Sequence, residues 1–410
     1  MLIFAIAAAI RLGFVFATRQ YLDIQGAELE RAARSLAEQH VFGNPFAIPT
    51  GPTAHPAPAY AILLAGVYAL FGNTVAAEAI KQTFSSLAAS LEYALLPAVA
   101  ASFGMRPLTG VAAGLIGALV PFRLLTETKG NVEAPYVALV LIAVCVMTFR
   151  VWRNAEFSFR DGAVYGALWG IALLFAPTFL PVMAGFLLAG LFLFNQEQRL
   201  PYMQWAVGAL TVTVLILLPW TVRNYVELGS PIWGRDNFGL EFDLSNYDGA
   251  GPRMDENKDS GHHALSHPLY SVTECEKIKR IGEVQYNRQR LARALEWTAS
   301  HRLEFARLTA LRALYFWLPK SRPRIKDPVV WGITVLAFVG LWRIRRRYFR
   351  LALLIGVVWL TFPCVYYLIQ SYPRYRYPID WMLLLFAVFG AGGLLGAEIS
   401  SEEALEQARH

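Results

Sequence analysis

The sequence predicts an all-α polytopic membrane protein of about ten transmembrane helices, with further helices lying along the surface in its first outer loop. Three observations predict it. Of 410 residues, 56% are hydrophobic and only 16% charged, against roughly 25% charged in an ordinary soluble domain. The mean hydropathy is +0.39. Apolar runs near the ~20 residues that cross a bilayer recur along the chain, with basic residues gathered at their ends. That last pattern also explains the formal charge of +7. Arginines flanking apolar runs orient helices in a bilayer, whereas a nucleic-acid groove needs a basic stripe on a folded face, so no nucleic-acid partner is expected.

The first run, 2–18, carries Arg11 in its middle and has no basic stretch ahead of it. It reads as an uncleaved span rather than a signal peptide. Further spans are expected near 75–102, 108–125, 133–150, 162–178, 179–195, 203–220, 328–344, 351–368 and 379–397. Pro177 and Pro181 interrupt the helix between the fifth and sixth, as proline must. Residues 58–72, PAYAILLAGVYALFG, are apolar but short for a crossing, and this segment decides the topology. If it does not cross, the basic positions Arg106, Arg150, Arg153, Arg160, Arg199 and Arg343 to Arg350 fall on one side, which is then cytoplasmic. A single crossing would put all of them outside, so the segment is laid along the outer leaflet.

One transmembrane domain over 1–397 follows, including outer loops at 19–74 and 221–327, with a short cytoplasmic tail at 398–410. The expected location is the inner (cytoplasmic) membrane, with the polar loops facing the periplasm or exterior. Cys145, Cys275 and Cys364 share no metal-ligand or disulfide spacing.

Candidate chemistry gathers in the outer loops. Asp23 follows the first span closely, where a partly desolvated carboxylate could act as general base or simply cap the next helix. Glu28 and Glu30 sit in an amphipathic run whose Leu29, Ala33 and Leu36 share a face; its charges read mostly as a solvated face. His55, between prolines in PTAHPAP, is projected from an extended backbone, toward a phosphate or hydroxyl or onto a loop carbonyl. Lys129 and Glu133 flank the outer turn TETKGNVEAP, as a functional pair or as helix-dipole complements. Arg11 and Glu92, both deep in spans, are expected to pair with each other. Arg374 and Arg376 alternate with Tyr372, Tyr375 and Tyr377 in SYPRYRYPID. Their guanidinium forks suit a lipid phosphate, and the alternative is an aromatic-belt anchor. Arg223, Arg235 and Arg253 add charge in the long loop.

Several stretches together resemble the GT-C glycosyltransferases, in particular the family 39-like branch of protein mannosyltransferases and the aminoarabinose transferase of lipid A. They are an Asp just after the first span, the Gly51-Pro-Thr-Ala block leading into 58–72, PWTVRNYVELGSPIWGRDNFGLEFDLSN, His267-Pro268 with GEVQY, and RYRYPID. The resemblance implies transfer of a sugar from a polyprenyl-phosphate donor to an outer-side acceptor, generally with inversion. It maps the catalytic acid of the first outer loop onto Asp23, the covering helices onto 26–40 and 58–72, and the donor phosphate onto Arg374 and Arg376. His55, Lys129, Glu133, Arg223, Arg235 and Tyr372 are the further candidate substrate contacts.

The chain departs from the family where Asp23 is followed by Ile24 instead of a second acid. That leaves Glu28, Glu133 or no residue as the second carboxylate. No large outer C-terminal domain is expected to recognise the acceptor, which could be protein, lipid or glycan. The scheme requires no cofactor and leaves room for a divalent metal. The rival readings are a lipid-linked-sugar transporter, which would place polar groups at the midplane, and a non-catalytic scaffold of the same fold.

Overall fold

Where the sequence is apolar the chain is helical, and the helices follow the expected runs closely. The computed structural model describes residues 1–394 except 25, 121–122 and 321–325. The expected tail at 398–410, and the end of the last span, lie outside the described residues.

In chain order the helices are α1 (Leu2–Thr18), α2 (Glu28–Gln39), α3 (Pro58–Phe71), α4 (Val75–Ser102), α5 (Pro107–Leu119), α6 (Leu124–Lys129), α7 (Ala134–Asn154), α8 (Phe159–Phe175), α9 (Leu180–Leu193) and α10 (Gln196–Leu228). A group of more polar helices follows: α11 (Phe238–Asp243), α12 (Met254–Asp259), α13 (His262–Ser266), α14 (Val272–Ile281), α15 (Glu283–Ser300) and α16 (Arg302–Trp317). The chain returns through α17 (Asp327–Ile344), α18 (Phe349–Thr361), α19 (Cys364–Leu368) and α20 (Tyr377–Leu394). Among the described residues no strand forms, only isolated bridges at Gly43–Pro52 and Arg253–Ser371. By length and composition five helical segments suffice to cross a membrane, namely α4, α7, α10, α17 and the Phe349–Leu368 stretch.

The short apolar helix α3 stays at one end of the bundle. Near its start Tyr60 donates to the Gly130 carbonyl at 2.7 Å, just before α7. Near its end Tyr68 donates to Glu78 at 2.9 Å, in the first turn of α4. Gly130 in turn abuts Lys81 of α4. At the opposite end two basic loops meet, where Arg350 Nη1 donates to the carbonyl of Trp152 at 2.7 Å. Small residues let the bundle close. Gly340 of α17 and Gly390 of α20 face each other's backbones so tightly that a Cβ on either would collide with a carbonyl oxygen, as membrane helix pairs require.

Two sequence expectations about buried charge are corrected. Arg11 pairs with Glu127 at 2.8 Å, not with Glu92. It also donates to the carbonyls of Gly117 and Ala118 at the end of α5, and Tyr93 donates to Glu127 at 2.5 Å. Glu92 is fully buried and forms no ion pair among the described residues. The charges of α2 are not mainly a solvated face either. Lys81 bonds both Glu30 and Glu78, and Arg34 reaches Glu78 at 3.0 Å. An apolar face alone would let α2 slide along the bundle, whereas this buried network fixes its register on α4. Polar groups are therefore not confined to the loops, but none of these residues lines the cavity described next.

Candidate active site

The first turns of α2, α7 and α20, the 176–178 link between α8 and α9, and the short helices α11 and α19 surround a cavity of about 330 Å³. Its walls carry three carboxylates (Glu28, Glu133, Glu241), two guanidiniums (Arg235, Arg374) and an aromatic side formed by Phe238, Phe362, Tyr366 and Tyr375. A space that is largely apolar yet holds a few convergent charges is the usual make-up of a small-molecule site.

Glu28 opens α2 and is held from behind by two histidines. Its carboxylate lies 3.2 Å from His55 Nε2 and 3.5 Å from His267 Nε2. His267 Nδ1 accepts the Leu269 amide at 3.0 Å, so the neutral ring carries its proton on Nε2, toward Glu28. Burial by itself would raise the Glu28 carboxyl; the facing His55 and His267 rings and the Arg235 guanidinium outweigh it and hold the group well below the usual carboxylate range. Burial lowers His55, but Glu28 more than compensates and its imidazole is raised overall. Burial dominates at His267, which is lowered.

His55 is placed by an extended, buried segment whose backbone groups are served from far along the chain. Arg223 donates to the carbonyls of Thr53 (2.7 Å) and Phe42 (2.6 Å). Arg235 donates to the His55 carbonyl at 3.0 Å, and the Asp236 amide to that of Ala54 at 2.8 Å. Glu283 accepts the Ala54 amide at 2.7 Å and the Thr53 hydroxyl. Burial pushes the Glu283 carboxyl up to about 7, against the pull of His55 and the Thr53 bond.

Arg374 lies over the rings of Tyr372 and Tyr375, 5.2 and 5.8 Å from their centroids. It forms no ion pair or hydrogen bond among the described residues and so remains a cation available to the cavity. Tyr375 stacks in turn on Tyr366 at 4.7 Å.

The structure thus gathers Glu28, Glu133, Arg235 and Arg374 on the cavity wall, with His55 directly behind, and separates the other candidates from it. Arg376 is turned into the bundle, where it bonds Asp380 at 2.7 Å and Thr334 at 2.9 Å. Asp380 also binds Arg123 at 2.8 Å, so Arg376 is occupied structurally. Arg223 holds carbonyls, as described. Lys129, in the last turn of α6, does not line the cavity. Tyr372 reaches it only through Arg374. Asp23 is exposed and outside the lining. Arg19 ends α1 in a left-handed turn, and a single 3-10 turn then carries the chain past Asp23 before it comes back to the cavity at Ala27. Reading the sequence missed Glu241 and Tyr366, which stand at no distinctive spacing, and the role of His267, whose His-Pro step was a usable signal. Among the described residues no group of three His, Cys, Asp or Glu side chains is arranged to hold a metal ion.

No protein-family model and no curated protein sequence matches the chain. Solved structures do. The apo oligosaccharyltransferase of Archaeoglobus fulgidus superposes with a TM-score of 0.55 at 16% identity, over 99% of this chain and 51% of that one. The oligosaccharyltransferase AglB from the same organism, in complex with an inhibitory peptide and a dolichol-phosphate, gives 0.53 at 14% identity over 98% and 52%. The chain shares the fold of these archaeal oligosaccharyltransferases. It spans about half the length of these structures, and at such identity the likeness concerns architecture. Its five helices long and apolar enough to cross a bilayer mark a membrane protein. The cavity lies where the first loop, α11 and the 362–378 segment converge.

Proposed function

We propose that the protein is a membrane glycosyltransferase of the family 39-like branch, transferring a sugar from a polyprenyl-phosphate donor to an acceptor on the outer side of the inner membrane. One observation carries the proposal. A carboxylate kept ionised, Glu28, and a guanidinium without an ion pair among the described residues, Arg374, face the same aromatic-walled space. That is the charge pair needed to displace a phosphate from a sugar carbon. The solved neighbour whose complex contains a dolichol-phosphate supports a lipid-phosphate donor.

In the proposed step the acceptor oxygen attacks the anomeric carbon as the bond from that carbon to the phosphate oxygen breaks, with inversion. Arg374, assisted by Arg235, takes up the charge developing on the departing polyprenyl phosphate. Glu28 receives the acceptor's proton. A carboxylate of low basicity suffices, because an O–H becomes strongly acidic once its oxygen begins to bond to carbon. His55 and His267 keep the carboxylate oriented, and α2 and α3 exclude water that would hydrolyse the donor. The base expected at Asp23 thereby passes to Glu28.

The test is reconstitution with a panel of polyprenyl-phosphate sugars, comparing wild type, Glu28→Gln and Asp23→Asn. Transfer retained by Asp23→Asn and lost by Glu28→Gln supports the assignment. The absence of donor turnover by the wild type across the panel would refute the glycosyltransferase reading.

A further inference from the structure

A second polar cavity of about 280 Å³ lies between α14 and α15 and shares no lining residue with the first. The two helices are joined by Gly282, whose φ of +82° permits the tight reversal that sets them side by side. Lys277, Arg280, Arg290 and Arg293 line it, together with Glu274, Tyr286 and Gln289.

The charges do not balance. Two acids are present, and both are already engaged. Glu274 accepts from Lys277 (2.6 Å), Tyr286 (2.6 Å) and Arg290 (3.3 Å). Asp243, just behind, binds Arg290 Nε at 2.7 Å and both nitrogens of the Arg293 fork. Four cations against two acids leave an excess of two positive charges on one concave surface. Arg290, 5% exposed, forms the floor and is fixed by a further bond to the Ser266 carbonyl at 2.9 Å. Lys277 and Arg293 are about half exposed at the rim. Arg280, also exposed, makes no ion pair or hydrogen bond among the described residues.

We infer that this groove binds a phosphoryl group. Two uncompensated charges match a phosphate dianion, guanidinium forks match its oxygens, and a buried arginine prevents the floor from collapsing. The phosphoryl group could belong to a soluble phosphate ester or to a phospholipid headgroup.

The experiment uses the full chain carrying Arg374→Ala, which removes the unpaired cation of the first cavity and keeps this inference separate from the proposed transfer. Inorganic pyrophosphate is titrated into the detergent-purified protein by calorimetry. Saturable binding is expected, weakened about tenfold or more by Arg280→Glu and little changed by Arg280→Lys, since a charge-assisted contact is worth ~1.5–3 kcal/mol and 1.4 kcal/mol is tenfold. Arg307→Gln, at an exposed site on α16, controls for general charge. Absence of saturable binding, or an equal loss in Arg307→Gln, overturns the inference. Repetition in nanodiscs with and without phosphatidic acid distinguishes the source. Competition by the lipid that depends on Arg280 identifies a headgroup, and undiminished pyrophosphate affinity identifies a soluble phosphoryl ligand.

Discussion

Glu28→Gln is the substitution on which the proposed chemistry turns. The amide keeps the shape and can still hydrogen-bond His55, but it cannot take a proton. At 3.2 Å from His55 the charged pair has a gross attraction of ~5 kcal/mol at an effective dielectric near 20. Much of that is spent in desolvating the two groups, so the stability lost should be ~1–2 kcal/mol. The catalytic effect is expected to be larger. Loss of a positioned general base typically lowers the rate ~10²–10⁴-fold, or ~3–5 kcal/mol in barrier.

Because Arg374 is untouched, the loss should fall on kcat, with the donor KM nearly constant. The structure adds a signature that a merely destabilised protein would not show. Glu28 is what raises the His55 imidazole, so in the variant that ring should lose its proton at lower pH, as read by NMR of the histidine ring carbons. A variant that kept more than ~10% of wild-type kcat would refute Glu28 as base. If Asp23→Asn were the inactive protein instead, the expectation drawn from the sequence would be reinstated.

Arg374→Ala should raise the donor KM ~10-fold or more, the worth of one charge-assisted contact, with little change in thermal stability. Arg376→Ala should do the reverse, costing ~3–5 kcal/mol by leaving Asp380 with Arg123 alone; equal KM effects in both would refute the division of roles. Glu283→Gln tests the sign of a linkage. The folded value of about 7 lies above the ordinary 4.5, so the folded chain holds this proton more tightly than the unfolded one. Its contribution to stability is therefore greatest below pH ~4.5 and is lost as pH rises through ~7, a span of ~3 kcal/mol. The variant should flatten the fall in Tm between those values, and an unchanged Tm profile would count against the assignment. For topology, single cysteines are introduced after Cys364, the exposed native thiol, is changed to Ser. A cysteine at Arg346 should react only from the cytoplasmic side and one at Asp248 only from the outside; labelling of both from one side would overturn the arrangement.

The fold was legible because its signals are local. Apolar runs of bilayer length mark helices, and the side on which arginines cluster gave the expectation that 58–72 does not cross; the structure ties this helix to Gly130 and Glu78 through Tyr60 and Tyr68. The site was legible only in part, because which residue faces the cavity depends on turns shorter than any periodic signal. Arg374 and Arg376 read as alternating along an extended segment, but Pro373–Arg376 is a 3-10 turn. Its three-residue repeat sends one arginine to the cavity and the other into the bundle. Position after the first span favoured Asp23, whereas past the left-handed turn at Arg19 it is Glu28 that lines the cavity. The partner of Arg11 was illegible for a different reason. Glu92 and Glu127 are both acids on elements packed against α1, and only three-dimensional packing chooses between them.

The segment Thr53–His55 has a consequence for synthesis. Its hydrogen-bonding partner Glu283 lies 230 residues downstream, a delay of roughly 10–50 s at ordinary rates of translation. Throughout that interval the Ala54 amide and the Thr53 hydroxyl must be satisfied by water, so this part of the loop stays hydrated while the helices around it insert. The cavity beside this segment is consequently among the last parts of the molecule to assemble. On the proposed reading, a nascent chain stopped before Arg374 would hold its apolar helices in the bilayer and lack the cation for the donor phosphate.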